Sequence, residues 1–173
     1  LIPLEAMLQA GRHYLSRQGL NPGAPESELI EVAIRSLGLR DLGDFDPGER
    51  IIERRIRRDG PLVTQTIRGF VDLTSSRAPA PGGGSVAALC GALSAALSAM
   101  VGGLTTGKRG YEAIFAQHNE MAVSAQQLKE GFLNDIDADT AAFDGMMASM
   151  RLPKGTDDEK QARREAMRAA TIE

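Results

Sequence analysis

The chain has 173 residues, 42% of them apolar, and a formal net charge of −3, with a pI near 5.5. That is one ordinary domain, or a small domain with a piece of another; it holds enough apolar material to exclude a disordered chain, and its acid balance demotes nucleic-acid binding by phosphate neutralisation. One cysteine, Cys90, excludes an internal disulfide framework and a cysteine-based zinc site and fits a reducing, cytoplasmic setting.

Both ends look cut. The chain opens on Leu1, and its last stretch, from Thr156 to Glu173, reads as helix without a stop signal. The expectation is a fragment of a longer protein. No basic segment followed by an apolar run opens it, so these residues show no signal peptide.

Residues 3–18 read as a helix. Pro3 suits its first position, Leu4, Met7, Leu8, Tyr14 and Leu15 recur at helical spacing, and Gly19 can end it. Ser27 is the expected cap of a second helix that carries Leu29, Ile30, Val32, Ala33, Ile34 and Leu37 and stops at Gly38. Asp41 to Gly48 has loop chemistry. Glu49 to Asp59 (ERIIERRIRRD) is the most charged stretch; a solvated connector is its plain reading, a phosphate-binding patch the minor one. Gly60–Pro61 marks a boundary. An amphipathic helix is expected over 62–73, with Val63, Ile67, Phe70, Val71 and Leu73 as its apolar members.

The run Arg77 to Ser85, RAPAPGGGS, cannot be helical at its prolines. Three glycines before a helix leave a backbone free to approach a ligand, and the unpaired N–H groups of a first turn hold anions or polar heterocycles. No Walker lysine follows. The competing reading is a flexible connector plus an ordinary N-cap at Ser85. The helix from Ser85 to Thr105 is rich in Ala, Gly and Ser and uncharged. Its length admits a membrane span; its composition favours a helix buried among close neighbours or at a homodimer seam. Lys108 and Arg109 follow it, either as cations at a helix C-terminus or as a clamp for an anionic tail.

Helical pattern resumes from Tyr111 to Met150, with Gly131 a place for weakening or bending. Leu152 to Gly155 breaks it. Thr156 with Glu159 forms a capping box for the last helix. At 100° per residue, Leu128, Phe132, Ile136, Phe143, Met146, Met147 and Met150 share one side, and Asp139 falls in the middle of them. Asp135 lies at the edge, while Asp137 and Asp144 point the opposite way, towards solvent. A carboxylate in an apolar stripe is costly unless paired or protonated, and such groups recur at active sites. A structural, tied-down acid remains the other reading. His13 and His118 stand alone, without metal spacing.

With these residues in hand, the chain resembles the formimidoyltransferase-cyclodeaminase family. APGGGSVAA at 80–88, TGKRGYE at 106–112, DADTAAF at 137–143 and RLPKGT at 151–156 fall in the order of its cyclodeaminase part. LIPLEAML, IRSLGLRDLGDF and GERIIE are similar to the far end of its transferase part. A stand-alone methenyltetrahydrofolate cyclohydrolase would not be expected to carry that preceding tail.

The resemblance implies a mainly α protein. Residues 1–52 would be the C-terminal helical fragment of an α/β transferase domain, 53–61 a charged linker, and 62–173 a helical-bundle cyclodeaminase domain, incomplete at its C-terminus. It implies an enzyme of histidine degradation that converts 5-formimidoyltetrahydrofolate to 5,10-methenyltetrahydrofolate and ammonia. Tetrahydrofolate, polyglutamylated, would be the substrate carrier, with no metal, no nucleic acid and no membrane involved. The chain would form a homodimer through the helical domain, or a higher homo-oligomer. By the same resemblance Asp139 is the catalytic aspartate and Asp137 assists. Gly82, Gly83, Gly84 and Ser85 form a pterin or substrate loop, and Lys108 and Arg109 suit the glutamate tail. The transferase's catalytic histidine belongs to a region outside these residues, and neither His13 nor His118 matches it. Cyclohydrolase activity and a non-catalytic helical dimerisation module are the alternatives.

Overall fold

A computed structural model describes residues 1–56 and 59–172. Arg57 and Arg58 of the charged stretch and Glu173 at the end of the last expected helix lie outside the described residues. Among the described residues the fold is mainly α, with eight α-helices, two short 3₁₀ turns and no strand. The chain divides into two compact units, Leu1–Asp59 with Gly91–Gly131, and Gly60–Cys90 with the residues from Phe132 onward.

In the first unit, α1 (Leu4–Arg17) starts after Pro3, which sits at the N-cap. It ends in a Schellman motif. Gly19 takes φ +73°, its N–H donates to the Ser16 carbonyl at 3.1 Å, and that of Leu20 to the Leu15 carbonyl at 3.0 Å. α2 (Glu26–Ser36) begins one residue before the expected cap, Ser27, and makes no side-chain cap bond. Pro25 holds the N-cap position, and Glu26 and Glu28 supply negative charge to the first turn. The two helices meet so closely that a Cβ on Gly11 would lie 2.3 Å from the Leu29 carbonyl oxygen. Met7, Ile30, Ala33, Ile34 and Ile51 form the core between them.

The charged stretch is anchored rather than fully solvated. Asp46 caps α3 (Pro47–Arg50) through the Gly48 N–H. Ile51 is fully buried and pairs with Ile2 in an isolated bridge. In α4 (Ile52–Ile56), Arg54 reaches Glu26 at 3.0 Å, and Glu53 accepts the Leu4 N–H at 2.6 Å.

Two long helices complete this unit with part of their lengths, α6 (Gly83–Thr105) and α7 (Phe115–Met150). The loop after α1 is pinned to them. Asn21 donates to the Thr106 hydroxyl at 2.9 Å, and Gln126 to the Gly23 carbonyl at 3.1 Å. Gly23 lies so close to Ala122 that its own Cβ would come within 2.4 Å of that methyl. Along α6, Leu93, Leu97, Met100, Val101 and Leu104 are exposed, at spacings of 4, 3, 1 and 3 that make one face. By length and composition α6 could cross a membrane, with 28% of its most apolar window buried. α7 opens with a 3₁₀ turn, Glu112–Ile114, and runs on through Gly131 without a break.

The second unit packs α5 (Ile67–Thr74), the start of α6 and the later half of α7 around Leu62, Phe70, Ala88 and Ile136. α5 starts five residues later than the sequence suggests. Thr66 caps it through the Gly69 N–H at 3.0 Å, and the preceding turn is held by Asp137 of α7. α8 (Asp157–Ile172) carries the expected capping box. Glu159 Oε2 accepts the Thr156 N–H at 2.9 Å, and the Thr156 hydroxyl accepts the Glu159 N–H at 3.2 Å.

Candidate active site

Asp139 belongs to the second unit, where α7 passes the first turn of α6. Ile136, one turn earlier on the same side, is 2% exposed and seats the helix in the core. That leaves the Asp139 carboxylate half-buried beside Gly84 and Ser85. Its Oδ2 accepts two hydrogen bonds, from the Ser85 N–H at 2.9 Å and from the Ser85 hydroxyl at 3.0 Å. Its Oδ1 lies against Gly84, where a Cβ would stand 2.0 Å from that oxygen. Only glycine leaves room for this approach.

Ser85 is not the N-cap that its position after three glycines suggests. α6 already starts at Gly83, and Ser85 is a first-turn residue with no exposed surface. Its side chain points into the packing, where the Ile136 carbonyl lies 2.8 Å away and the Thr140 hydroxyl 3.3 Å away. The carboxylate of Asp139 supplies the cap from another helix, at the end where the dipole favours negative charge.

These groups border an open cleft of about 430 Å³. Gly84, Ala87 and Ala88 wall it from α6, and Phe132, Asp135, Ala138, Asp139 and Ala142 from α7. The apolar side chains among the walls are alanines and one phenylalanine, with no methionine. The rest of the apolar stripe is only partly covered, with Leu128, Phe143 and Met150 exposed at 58%, 42% and 44%. Asp135 is the wall residue that periodicity underrated. It stands one helical turn before Asp139 and puts a second carboxylate on the cleft.

Asp137 behaves differently from its expected place on a solvated face. It is half-buried, and its two oxygens accept the Leu62 N–H at 2.8 Å and the Val63 N–H at 3.0 Å. Gly60 presses on the same carboxylate, with a Cβ position 2.1 Å from its Cγ. This is what fixes the turn before α5, and Asp137 does not line the cleft. The remaining expected site residues divide. Gly82 contributes the carbonyl that accepts the Val86 N–H at 3.1 Å, and Gly83 faces open space. Lys108 and Arg109 are exposed on the loop after α6 in the first unit and do not line the cleft. Lys108 stacks on Tyr111, 5.1 Å from the ring centroid. Among the described residues no three His, Cys, Asp or Glu side chains gather as a metal site.

Residues 66–173 match the family described as formiminotransferase-cyclodeaminase, and residues 1–57 match the formiminotransferase domain. The chain is 40% identical over 159 residues to formimidoyltransferase-cyclodeaminase of Dictyostelium discoideum, covering 90% of this chain and 29% of that protein. The chicken (Gallus gallus) protein of the same name is 38% identical over 170 residues, 96% of this chain and 31% of its own length. Methenyltetrahydrofolate cyclohydrolase of Methylorubrum extorquens is 41% identical over 111 residues, 62% of this chain and 53% of its own. The chain thus spans about three tenths of the formimidoyltransferase-cyclodeaminases that it matches.

Proposed function

The chain belongs to the formiminotransferase-cyclodeaminase family, and from that premise we propose that its second unit carries a folate cyclodeaminase site with Asp139 as the proton-transfer group. The reaction is the conversion of 5-formimidoyltetrahydrofolate to 5,10-methenyltetrahydrofolate and ammonia. N10 attacks the carbon of the protonated amidine, whose nitrogen becomes a neutral amino group; the new C–N10 bond closes the ring, and the N10 proton passes to the Asp139 carboxylate. The carboxyl then protonates the amino nitrogen. The C–N bond to that nitrogen breaks, ammonia leaves, and the electron deficit is shared between N5 and N10 as the methenyl cation. One carboxyl that takes and returns one proton serves both steps. The observation that carries this reading is the half-buried Asp139 on the wall of the cleft, held there by Ser85.

Asp139→Asn in the natural polypeptide tests it. Loss of an acid–base group of this kind lowers turnover by about 10²–10⁴, with the melting temperature nearly unchanged. Ammonia release that persists in the variant would sink the assignment.

The likeness to a methenyltetrahydrofolate cyclohydrolase favours a second reading, in which water attacks the methenyl carbon in the same cleft. Ammonia production from the formimidoyl substrate separates the two.

Residues 1–52 are read as the end of a transferase domain, 53–61 as the linker, and 62–173 as cyclodeaminase, supported by family matches over 1–57 and 66–173. Gly82 and Gly83 remain substrate-loop candidates, while Lys108 and Arg109 are candidates for a folate's glutamate tail, where several carboxylates need cations. The place in metabolism is histidine degradation in the cytoplasm. The exposed α6 face, Leu93 to Leu104, supports homodimerisation, since contiguous apolar patches mark interfaces. Leu97→Glu should shift the dimer towards monomer by sedimentation; an unchanged dimer would place the seam elsewhere.

A further inference from the structure

The triple-glycine run reads from sequence as a loop that holds substrate. The geometry points to a different task for its last glycine and for the serine that follows: we propose that Gly84 and Ser85 are positioning residues that hold the Asp139 carboxyl for proton exchange through Oδ1. This rests on the assignment of Asp139 to the chemistry.

The two carboxylate oxygens of Asp139 are used differently. Oδ2 takes both donors, the N–H and the hydroxyl of Ser85. Oδ1 accepts no hydrogen bond from the described residues and lies against Gly84, itself a wall of the cleft. An ionised carboxylate oxygen with two donors is a poor base, since protonation there would break both bonds. The proton is directed to the other oxygen. Ser85 also suits both states of the carboxyl. Its single hydroxyl hydrogen can turn between Asp139 Oδ2 at 3.0 Å and the Ile136 carbonyl at 2.8 Å, with the Thr140 hydroxyl a longer partner at 3.3 Å. It donates to Oδ2 while the acid is ionised and turns to the carbonyl once Oδ1 is protonated. Gly84 sets the distance, because any side chain would occupy the place of Oδ1.

The test compares kcat with KM in the natural polypeptide. Ser85→Ala removes one hydrogen bond to a charged group and is expected to lower kcat roughly tenfold, with KM within about twofold. Gly84→Ala displaces the carboxyl and is expected to lower kcat by about a hundredfold or more. Phe70→Leu, in the same core and away from the cleft, controls for lost stability and should leave kcat unaltered at a matched fall in Tm. A raised KM with kcat retained in Ser85→Ala overturns the proposal in favour of direct substrate contact. A fall in Tm alone overturns it in favour of a structural bond. Ser85→Ala stays informative if Gly84→Ala fails to fold. Turnover retained in Asp139→Asn overturns the parent reading as well; a dead Asp139→Asn beside a fully active Ser85→Ala removes only this inference.

Discussion

Two aspartates on α7, two residues apart, are held by the same device and left with different freedom. Asp137 rests against Gly60 and accepts the Leu62 and Val63 N–H groups, one on each oxygen. Asp139 rests against Gly84 and accepts both of its donors on a single oxygen. Each pair needs a glycine, because a carboxylate brought up to a backbone turn occupies the place of a Cβ. The difference lies in what is left over. Asp137 has both oxygens committed to main-chain donors and stands off the cleft, so it is a clamp. Asp139 keeps one oxygen without a donor among the described residues and borders the cleft, so it has capacity for chemistry. Hydrogen-bond inventory, more than burial, separates the structural acid from the proposed catalytic one.

The largest effects should come from exchanging their fates. Asp139→Asn is expected to remove turnover and spare the fold, while Asp137→Ala should do the reverse. Two part-buried N–H groups would lose their acceptor, at about 1–3 kcal/mol for each group left unsatisfied. The variant should therefore melt early yet retain kcat per folded molecule in a cool assay. Equal losses of kcat in both variants would erase the distinction between clamp and proton-transfer group. Gly60→Ala probes the same clamp from the other side. Its methyl would overlap the Asp137 carboxylate, and overpacking of this kind costs about 1–3 kcal/mol, read as a lower denaturant midpoint. Relief of that loss when Gly60→Ala is combined with Asp137→Ala would show that the two share one contact.

Local signals in the sequence matched the structure where the stabilising partner lies within a few residues. The Schellman stop at Gly19 and the capping box at Thr156 and Glu159 need only neighbours. The helical stripe around Asp139 holds only in part, with Ile136 buried and Phe132 on the cleft but Leu128, Phe143 and Met150 exposed. What escaped involves partners far along the chain. Ser85 follows three glycines and reads as a local N-cap, but its hydroxyl is used against residues 51 to 55 positions away. Asp137 points away from the stripe and so reads as solvated, yet a turn about 75 residues earlier comes up to it. That same turn delays α5, because Leu62 and Val63 give their N–H groups to a carboxylate instead of starting a helix. Periodicity reports which side of a helix faces the core; it carries no information about which loop covers the other side. Asp135 was underrated for a related reason, since the edge of a stripe becomes a wall only when a second helix leaves a gap beside it.

The smallest effect sharpens the comparison by supplying a third member. Glu159 clamps the start of α8, its Oε2 accepting the Gly155 N–H at 2.7 Å and the Thr156 N–H at 2.9 Å. Like Asp139 it loads one oxygen with two donors, but it is exposed to solvent. The Thr156 and Gly155 bonds hold its carboxyl below the usual glutamate range, against a small opposing effect of burial. A carboxyl whose folded pKa is depressed contributes stability that is present above its unfolded value. That contribution fades as pH falls through the ordinary glutamate range and is gone below the depressed folded value. The first turn of α8 should therefore lose amide-exchange protection on acidification, and Glu159→Gln should remove the pH dependence while leaving the Thr156 half of the box in place. Solvent screening keeps the change local, with no visible shift in global melting. Protection at α8 that is independent of pH in the native chain would mean that two donors on one exposed oxygen do not bias its proton affinity. The preference of the Asp139 proton for Oδ1 would then depend on partial burial alone.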